Sequence, residues 1–142
     1  MYEKELVDMI PAVHEPVRIL HMGARNGVGT MKIMDRLRER DVPFDLDIYE
    51  YNSKWKFHLS FLVPPQNIYI EWFPEKVYDY ILVSDTSLFT ERFIHTMVKN
   101  ATTCVLMVCP KLLKSNIERY MNIKKSIETH YMFGLYMCEL YA

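Results

Sequence analysis

The sequence predicts an α/β fold: a mostly parallel sheet with helices on both faces and an antiparallel hairpin at the end. Three observations predict it. Apolar runs of strand length alternate with amphipathic stretches, an order that folds into a parallel sheet through right-handed crossovers. The first strong run, Val17-Arg18-Ile19-Leu20-His21-Met22, opens into the glycine-rich turn Gly23-Ala24-Arg25-Asn26-Gly27-Val28-Gly29. Glycines let a backbone turn sharply and approach a ligand, and the helix that follows offers it free N–H groups. Two tyrosine-rich runs near the end, 127–133 and 135–141, share Gly134 and read as a hairpin.

Each element has its own signal. Lys4–Ile10 reads as a short helix, because Leu6, Met9 and Ile10 share a face and Pro11 cannot continue it. Val17–Met22 is the first strand. Thr30, Ile33, Met34 and Leu37 recur at i, i+3, i+4 and i+7, so Gly29–Arg40 is an amphipathic helix, with Lys32, Arg36, Arg38 and Arg40 on its other face. Phe44–Tyr49, after Pro43, is the second strand. Ser53 can cap a short helix through Leu62, and Pro64-Pro65 breaks the chain after it. Asn67–Trp72 and Tyr78–Val83 read as the third and fourth strands. Thr90 can cap a helix to Lys99. Thr103–Val108 is apolar as a strand covered on both faces should be. Leu112–Met121 reads as a helix before the hairpin.

The chain has 142 residues, half of them hydrophobic, which suits one domain spanning residues 1–142. A formal net charge of −1 excludes bulk electrostatic attraction to nucleic acid but leaves room for a local basic groove. Cys104, Cys109 and Cys138 are odd in number and form no CxxC pair, so reduced thiols, a cytoplasmic setting and no metal site are expected. No apolar run approaches the ~20 residues of a membrane span. The start, Met1-Tyr2-Glu3-Lys4-Glu5, is too charged for a signal peptide, so no membrane is expected.

Ligands of such sheets bind beyond the carboxyl ends of the strands, where strand order reverses. The residues there are Gly23 to Gly29, Glu50-Tyr51-Asn52, Glu71-Trp72, Ser84-Asp85-Thr86 and Cys109-Pro110-Lys111. Glu50 can accept both hydroxyls of a ribose, or it can be a solvated loop acid. Glu71 and Trp72 can hold an adenine by an edge hydrogen bond and by stacking, although Trp72 fits a core as well. Asp85 ends the fourth strand at the crevice, and Lys111 follows the fifth, its neighbour. Glu139 lies among Met137, Cys138 and Leu140, where a carboxylate is costly unless paired. Lys4, taken alone, is a surface lysine.

Together, Lys4, Asp85, Lys111 and Glu139 resemble the Lys-Asp-Lys-Glu tetrad of S-adenosylmethionine-dependent RNA ribose 2′-O-methyltransferases. The nearest likeness is to the nidovirus (coronavirus) type that acts on capped RNA; FtsJ-like rRNA enzymes and the poxvirus and flavivirus cap enzymes are more distant. The segment from Val17 to Ala24 resembles that family's glycine motif, with His21 where most methyltransferases carry an acid. Glu50-Tyr51-Asn52 is similar to its acidic-x-Asn ribose motif. Tyr78-Asp79-Tyr80-Ile81-Leu82-Val83-Ser84-Asp85 is similar to its aromatic-Asp-strand-Ser-Asp motif, and Cys138-Glu139-Leu140-Tyr141 to its terminal Ser-Glu-x-aromatic segment. The motifs keep the family order over almost the whole chain. Arg25 departs from the pattern, standing where a second glycine is usual, and the spacing from Asp85 to Lys111 to Glu139 is compressed.

The resemblance implies a class I methyltransferase (Rossmann-like) sheet. It implies S-adenosylmethionine held by Gly23, Ala24, Arg25, Gly27, Glu50, Tyr51, Asn52, Glu71, Trp72, Asp85 and Thr86. The reaction would be in-line methyl transfer to a ribose 2′-hydroxyl. Lys111 would be the base, Lys4 the cation that lowers its pKa, and Asp85 and Glu139 the groups that orient the two ammoniums. The implied partner is RNA, with a capped end expected, passing Lys111, Lys114 and Arg119 and stacking on Tyr51 or Phe89; a viral protein cofactor or neighbouring polyprotein domain is a second. Two other readings stay open. A methyltransferase for a small molecule or protein would keep Gly23, Glu50 and Asp85 without needing the tetrad. A non-catalytic methyltransferase-like scaffold would serve a larger replication or capping assembly. A nicotinamide site is disfavoured, because GxGxxG needs glycine at position 25.

Overall fold

Strand β1 (Val17–Met22) lies inside the sheet, paired in parallel with β2 (Phe44–Glu50) on one side and β4 (Tyr78–Val83) on the other. The structure, a computed structural model, describes residues 2–71, 74–84, 101–129 and 132–140. The other strands are β3 (Ile68–Ile70), β5 (Ala101–Pro110), β6 (Met121–Glu128) and β7 (Phe133–Leu140). Their order is β3-β2-β1-β4-β5-β7-β6. All pairs through β5 are parallel; β7 runs antiparallel to both β5 and β6. The expected mostly parallel sheet with a C-terminal antiparallel hairpin is therefore the one observed.

Period-2 alternation sends successive residues to opposite faces. On one face, Ile19, Ile48, Leu82 and Leu106 pack under helices α1 (Glu3–Asp8), α2 (Val28–Glu39) and α3 (Lys56–Leu59), which contribute Leu6, Ile33, Leu37 and Leu59. On the other, Leu20, Met22, Ile81, Val105 and Tyr136 pack with Ile117 of α4 (Lys114–Glu118). Helices thus cover both faces.

Helix α1 is fastened alongside α2. Arg36 holds the Asp8 carboxylate at 2.7 and 3.1 Å, and Arg40 donates to the carbonyls of Val7 (2.6 Å), in the last turn of the helix, and Ile10 (2.7 Å), just beyond it. The Arg36 guanidinium beside Asp8 holds that carboxyl below its ordinary range. Helix α2 stops at a left-handed residue, Asp41 (φ 55°), with the Val42 N–H bonded to the Leu37 carbonyl at 3.0 Å.

Several boundaries differ from the sequence reading. Helix α1 ends at Asp8, with Met9 and Ile10 in a turn. The segment 53–62 holds a 3₁₀ turn, Ser53–Trp55, then one turn of α3. Its cap is Asn52, whose side chain accepts the Lys54 N–H, not Ser53. Strand β3 spans only Ile68–Ile70, because Glu71 turns the chain at φ 67°. The helix read over 112–121 is a 3₁₀ turn, Lys111–Leu113, plus α4, and Met121 already begins β6. Gly134 is not the hairpin turn; it sits within β7, opposite Cys109 and Glu128. The helix read over 90–99 lies outside the described residues.

Candidate cofactor site at the carboxyl edge of the sheet

Strand β1 delivers Met22 to the carboxyl edge, and the chain then turns through two glycines. Gly23 (φ 75°) and Gly27 (φ 89°) adopt the left-handed conformation that a Cβ disfavours, and a Cβ at Gly27 would also run into the Leu62 side chain. Gly27 is the N-cap of α2, and Asn26 Oδ1 accepts the Val28 N–H at 3.1 Å. The residue between them, Arg25, is left-handed too (φ 51°), a conformation that costs a non-glycine residue free energy.

Glu50 holds that turn. Its Oε1 accepts the Arg25 N–H at 2.8 Å and its Oε2 the Asn52 N–H at 2.9 Å, while its carbonyl accepts the Glu71 N–H at 3.0 Å. One residue thereby ties together the turns after β1, β2 and β3. Glu50 is fully buried, which rules out the solvated loop acid that the sequence left open. A carboxylate offers about four lone-pair directions, so two remain for a ribose diol. The donor and acceptor chemistry fits the nucleoside half of S-adenosylmethionine.

Behind the turn, His21 spans the base of the crevice. Its Nδ1 lies 2.8 Å from Thr30 Oγ1 on α2 and its Nε2 2.8 Å from Ser84 Oγ at the end of β4. Wholly buried, its imidazole is pushed down to about 4 by desolvation, so it is neutral at pH 7. Sequence reasoning singled out His21 but not these partners.

The candidates divide into those at this site and those away from it. Gly23, Ala24, Arg25, Gly27, Glu50, Tyr51, Asn52 and Glu71 converge on the turns just described. Trp72, Asp85, Thr86 and Phe89 lie outside the described residues. Lys111 is at the carboxyl edge, after β5; its N–H donates to the Met132 carbonyl and its Nζ to the Thr129 carbonyl, both at 2.8 Å. Lys4 is exposed on α1 and lines a groove with Lys32, Asp35, Arg36 and Glu39, on the outer flank of α2. Glu139 corrects the tetrad. Phe133, not Glu139, pairs with Pro110 at the carboxyl edge. Glu139 lies six residues further along an antiparallel strand, about 20 Å toward the opposite edge. There it is half exposed and pairs with Lys124 at 3.7 Å. The structure does not bring Glu139 and Lys111 into one site.

No protein-family model matches the sequence, and no curated protein matches it. Solved structures do match the fold. An S-adenosylmethionine-dependent methyltransferase from Mesorhizobium loti superposes with a TM-score of 0.68 at 12% identity, over 95% of this chain and 95% of that one. A ribosomal protein L11 methylase from Lactobacillus delbrueckii subsp. bulgaricus gives 0.73 at 10%, over 98% and 77%. The fibrillarin/Nop5p complex gives 0.69 at 14%, over 97% and 79%. The chain has the class I, Rossmann-like fold of S-adenosylmethionine-dependent methyltransferases.

Proposed function

We propose that the chain binds S-adenosylmethionine and methylates RNA on a ribose 2′-hydroxyl. The observation that carries the cofactor half is Glu50, a strand-end carboxylate braced by the N–H groups of the glycine turn and of Asn52. When bound, S-adenosylmethionine supplies an electrophilic sulfonium methyl. Glu50 accepts the cofactor's ribose hydroxyls, and Gly23 lets the backbone come close. The RNA half rests on the resemblance of the glycine, ribose and Ser84-Asp85 motifs, and on Lys111 at the same edge. In this reading the Thr129 carbonyl orients the Lys111 nitrogen, which takes the 2′-hydroxyl proton once it is neutral. Glu139 has no part in it.

A second reading has its own observation. The separation of Glu139 and Lys111, with Lys4 on the outer flank of α2, favours a methyltransferase-like scaffold that binds without catalysing.

Calorimetry with S-adenosylmethionine and S-adenosylhomocysteine, on the wild type and Glu50→Ala, tests the cofactor half. The expected result is binding that Glu50→Ala weakens at least about tenfold. Transfer of a labelled methyl to capped and uncapped RNA then tests the substrate. Lys111→Ala is expected to lower transfer about 10²–10⁴-fold while cofactor binding persists. Absence of cofactor binding leaves the scaffold reading. Transfer only to protein or small molecules removes RNA, and near-normal turnover of Lys111→Ala removes it as the base.

A further inference from the structure

The segment after Glu50 carries an aromatic ladder outside the cofactor site. Trp55 and His58 meet edge to face with ring centroids 5.4 Å apart, Phe57 and His58 at 6.3 Å, and Phe57 and Phe61 at 5.0 Å. Lys54 Nζ sits 4.7 Å from the centre of the Trp55 ring. Helix α3 has a core to bury its side chains in, and Leu59 is wholly buried there. Its phenylalanines are not: Phe57 is 71% exposed and Phe61 of the following turn 74%. Two neighbouring aromatics turned to water rather than to that core offer a contact surface.

Charge selects the occupant. Residues 51–70 include Lys54 and Lys56 and contain no Asp or Glu, in a chain whose formal net charge is −1. Exposed rings beside lysines, in a stretch with no acid, suit a polyanion that carries its own flat rings. A duplex hides its base faces, and an apolar protein partner gains nothing from the lysines.

We propose that α3 and its flanks are a stacking platform for single-stranded RNA. Bases lie on the faces of Phe57 and Phe61, and Lys54 and Lys56 meet the phosphates. Because α3 follows β2, a strand held there passes the edge where Glu50 lies. The choice of RNA over DNA rests on the function proposed above; the ladder itself asks only for a single strand.

Fluorescence anisotropy with a labelled 12-nucleotide RNA of mixed sequence, against the same sequence as single-stranded DNA and as RNA duplex, tests the platform. Wild type is expected to bind single-stranded RNA more tightly than duplex, and more weakly as salt rises. Phe57→Ser/Phe61→Ser is expected to weaken binding at least about tenfold, whereas Phe57→Tyr, which keeps the ring, stays near wild type. Lys54→Ser/Lys56→Ser is expected to flatten the salt dependence. Circular dichroism melting and calorimetry with S-adenosylmethionine on the same variants separate the two proposals. RNA binding lost with fold and cofactor binding intact supports the platform. RNA binding that needs Phe57 and Phe61 in a chain that ignores the cofactor supports the platform and defeats the enzyme reading. Equal binding by the double-Ser variant, equal affinity for duplex, or no binding by wild type overturns the platform. Stronger binding of the DNA strand overturns the choice of RNA. A change of oligomeric mass in the double-Ser variant without loss of RNA binding assigns the patch to protein contact and overturns it as well.

Discussion

The Glu50 carboxylate accepts the backbone N–H of Arg25 at 2.8 Å, across 25 residues of sequence, and that bond closes the turn in which Arg25 is left-handed. Glu50→Gln keeps the shape but puts an NH₂ group against one of two N–H groups, Arg25 or Asn52. A buried donor without an acceptor costs about 1–3 kcal/mol. Urea unfolding of Glu50→Gln should show that loss, and cofactor affinity should fall with it. Unchanged stability would mean that the turn does not depend on this carboxylate.

Asp47 is the other buried acid of β2, and its partners set a ranking. Tyr78 Oη donates to Asp47 Oδ2 at 2.7 Å, Asn67 Nδ2 to Oδ1 at 2.8 Å, and Lys76 Nζ to Oδ2 at 3.3 Å. Burial, then the Asp47 carboxylate, push the Tyr78 phenol well above its ordinary value, so it stays a donor at every pH the fold survives. Tyr78→Phe removes a bond to a buried charge and should cost about 1.5–3 kcal/mol. Lys76 is half exposed and screened, so Lys76→Ala should cost under about 1 kcal/mol. Denaturant melts of the two variants check the order; a larger loss for Lys76→Ala would overturn it.

What the sequence made legible follows from periodicity. Val17–Met22 and Tyr78–Val83 have the bounds expected of them, because apolar runs flanked by turn residues leave little choice. Strand β6 was hidden for a local reason. Its register jumps between Ile123, opposite Cys138, and Lys125, opposite Met137, so Lys124 bulges and breaks the alternation. The misplacement of Glu139 came from direction. An antiparallel strand presents its first residues, not its last, at the carboxyl edge, and motif order along a chain cannot show that. His21 was visible as the histidine that stands where most methyltransferases carry an acid. Its partner Ser84 lies 63 residues away and needed the fold. The exposure of Phe57 and Phe61 had no signal in the sequence, because a helix through Leu62 leaves open which of its apolar residues the core takes.

The three cysteines lie on the neighbouring strands β5 and β7: Cys138 pairs with Val105 and shares a face with Cys109, four residues further along β5, while Cys104 points to the other face. All are buried, and burial pushes each thiol up to about 12. Only the thiolate attacks a disulfide reagent. In the folded protein at pH 8 all three should resist Ellman's reagent, and all should react in urea, at a rate set by unfolding. Rapid reaction of any one in the native state would show that its strand opens locally.

His21 makes stability depend on pH in a window that can be assigned. Its imidazole sits at about 4 in the folded protein because desolvation disfavours the charged form. In the unfolded chain it titrates near its ordinary value of about 6.5. Between those values the unfolded state binds the proton and the folded state does not. Stability is therefore full above about pH 6.5 and falls as pH drops toward 4. The slope approaches 1.4 kcal/mol per pH unit and the total is about 3 kcal/mol. Asp8, depressed by Arg36, adds its own loss only below about pH 4, where unfolded carboxylates protonate. Urea melts at pH 7, 6 and 5 therefore isolate the histidine. His21→Gln, which keeps a donor and an acceptor for Thr30 and Ser84 but cannot titrate in this range, should flatten the profile between pH 6.5 and 5. It should also lower stability at pH 7 through imperfect packing. A profile with the same slope in His21→Gln would place the titration on another residue and leave His21 with a purely structural role.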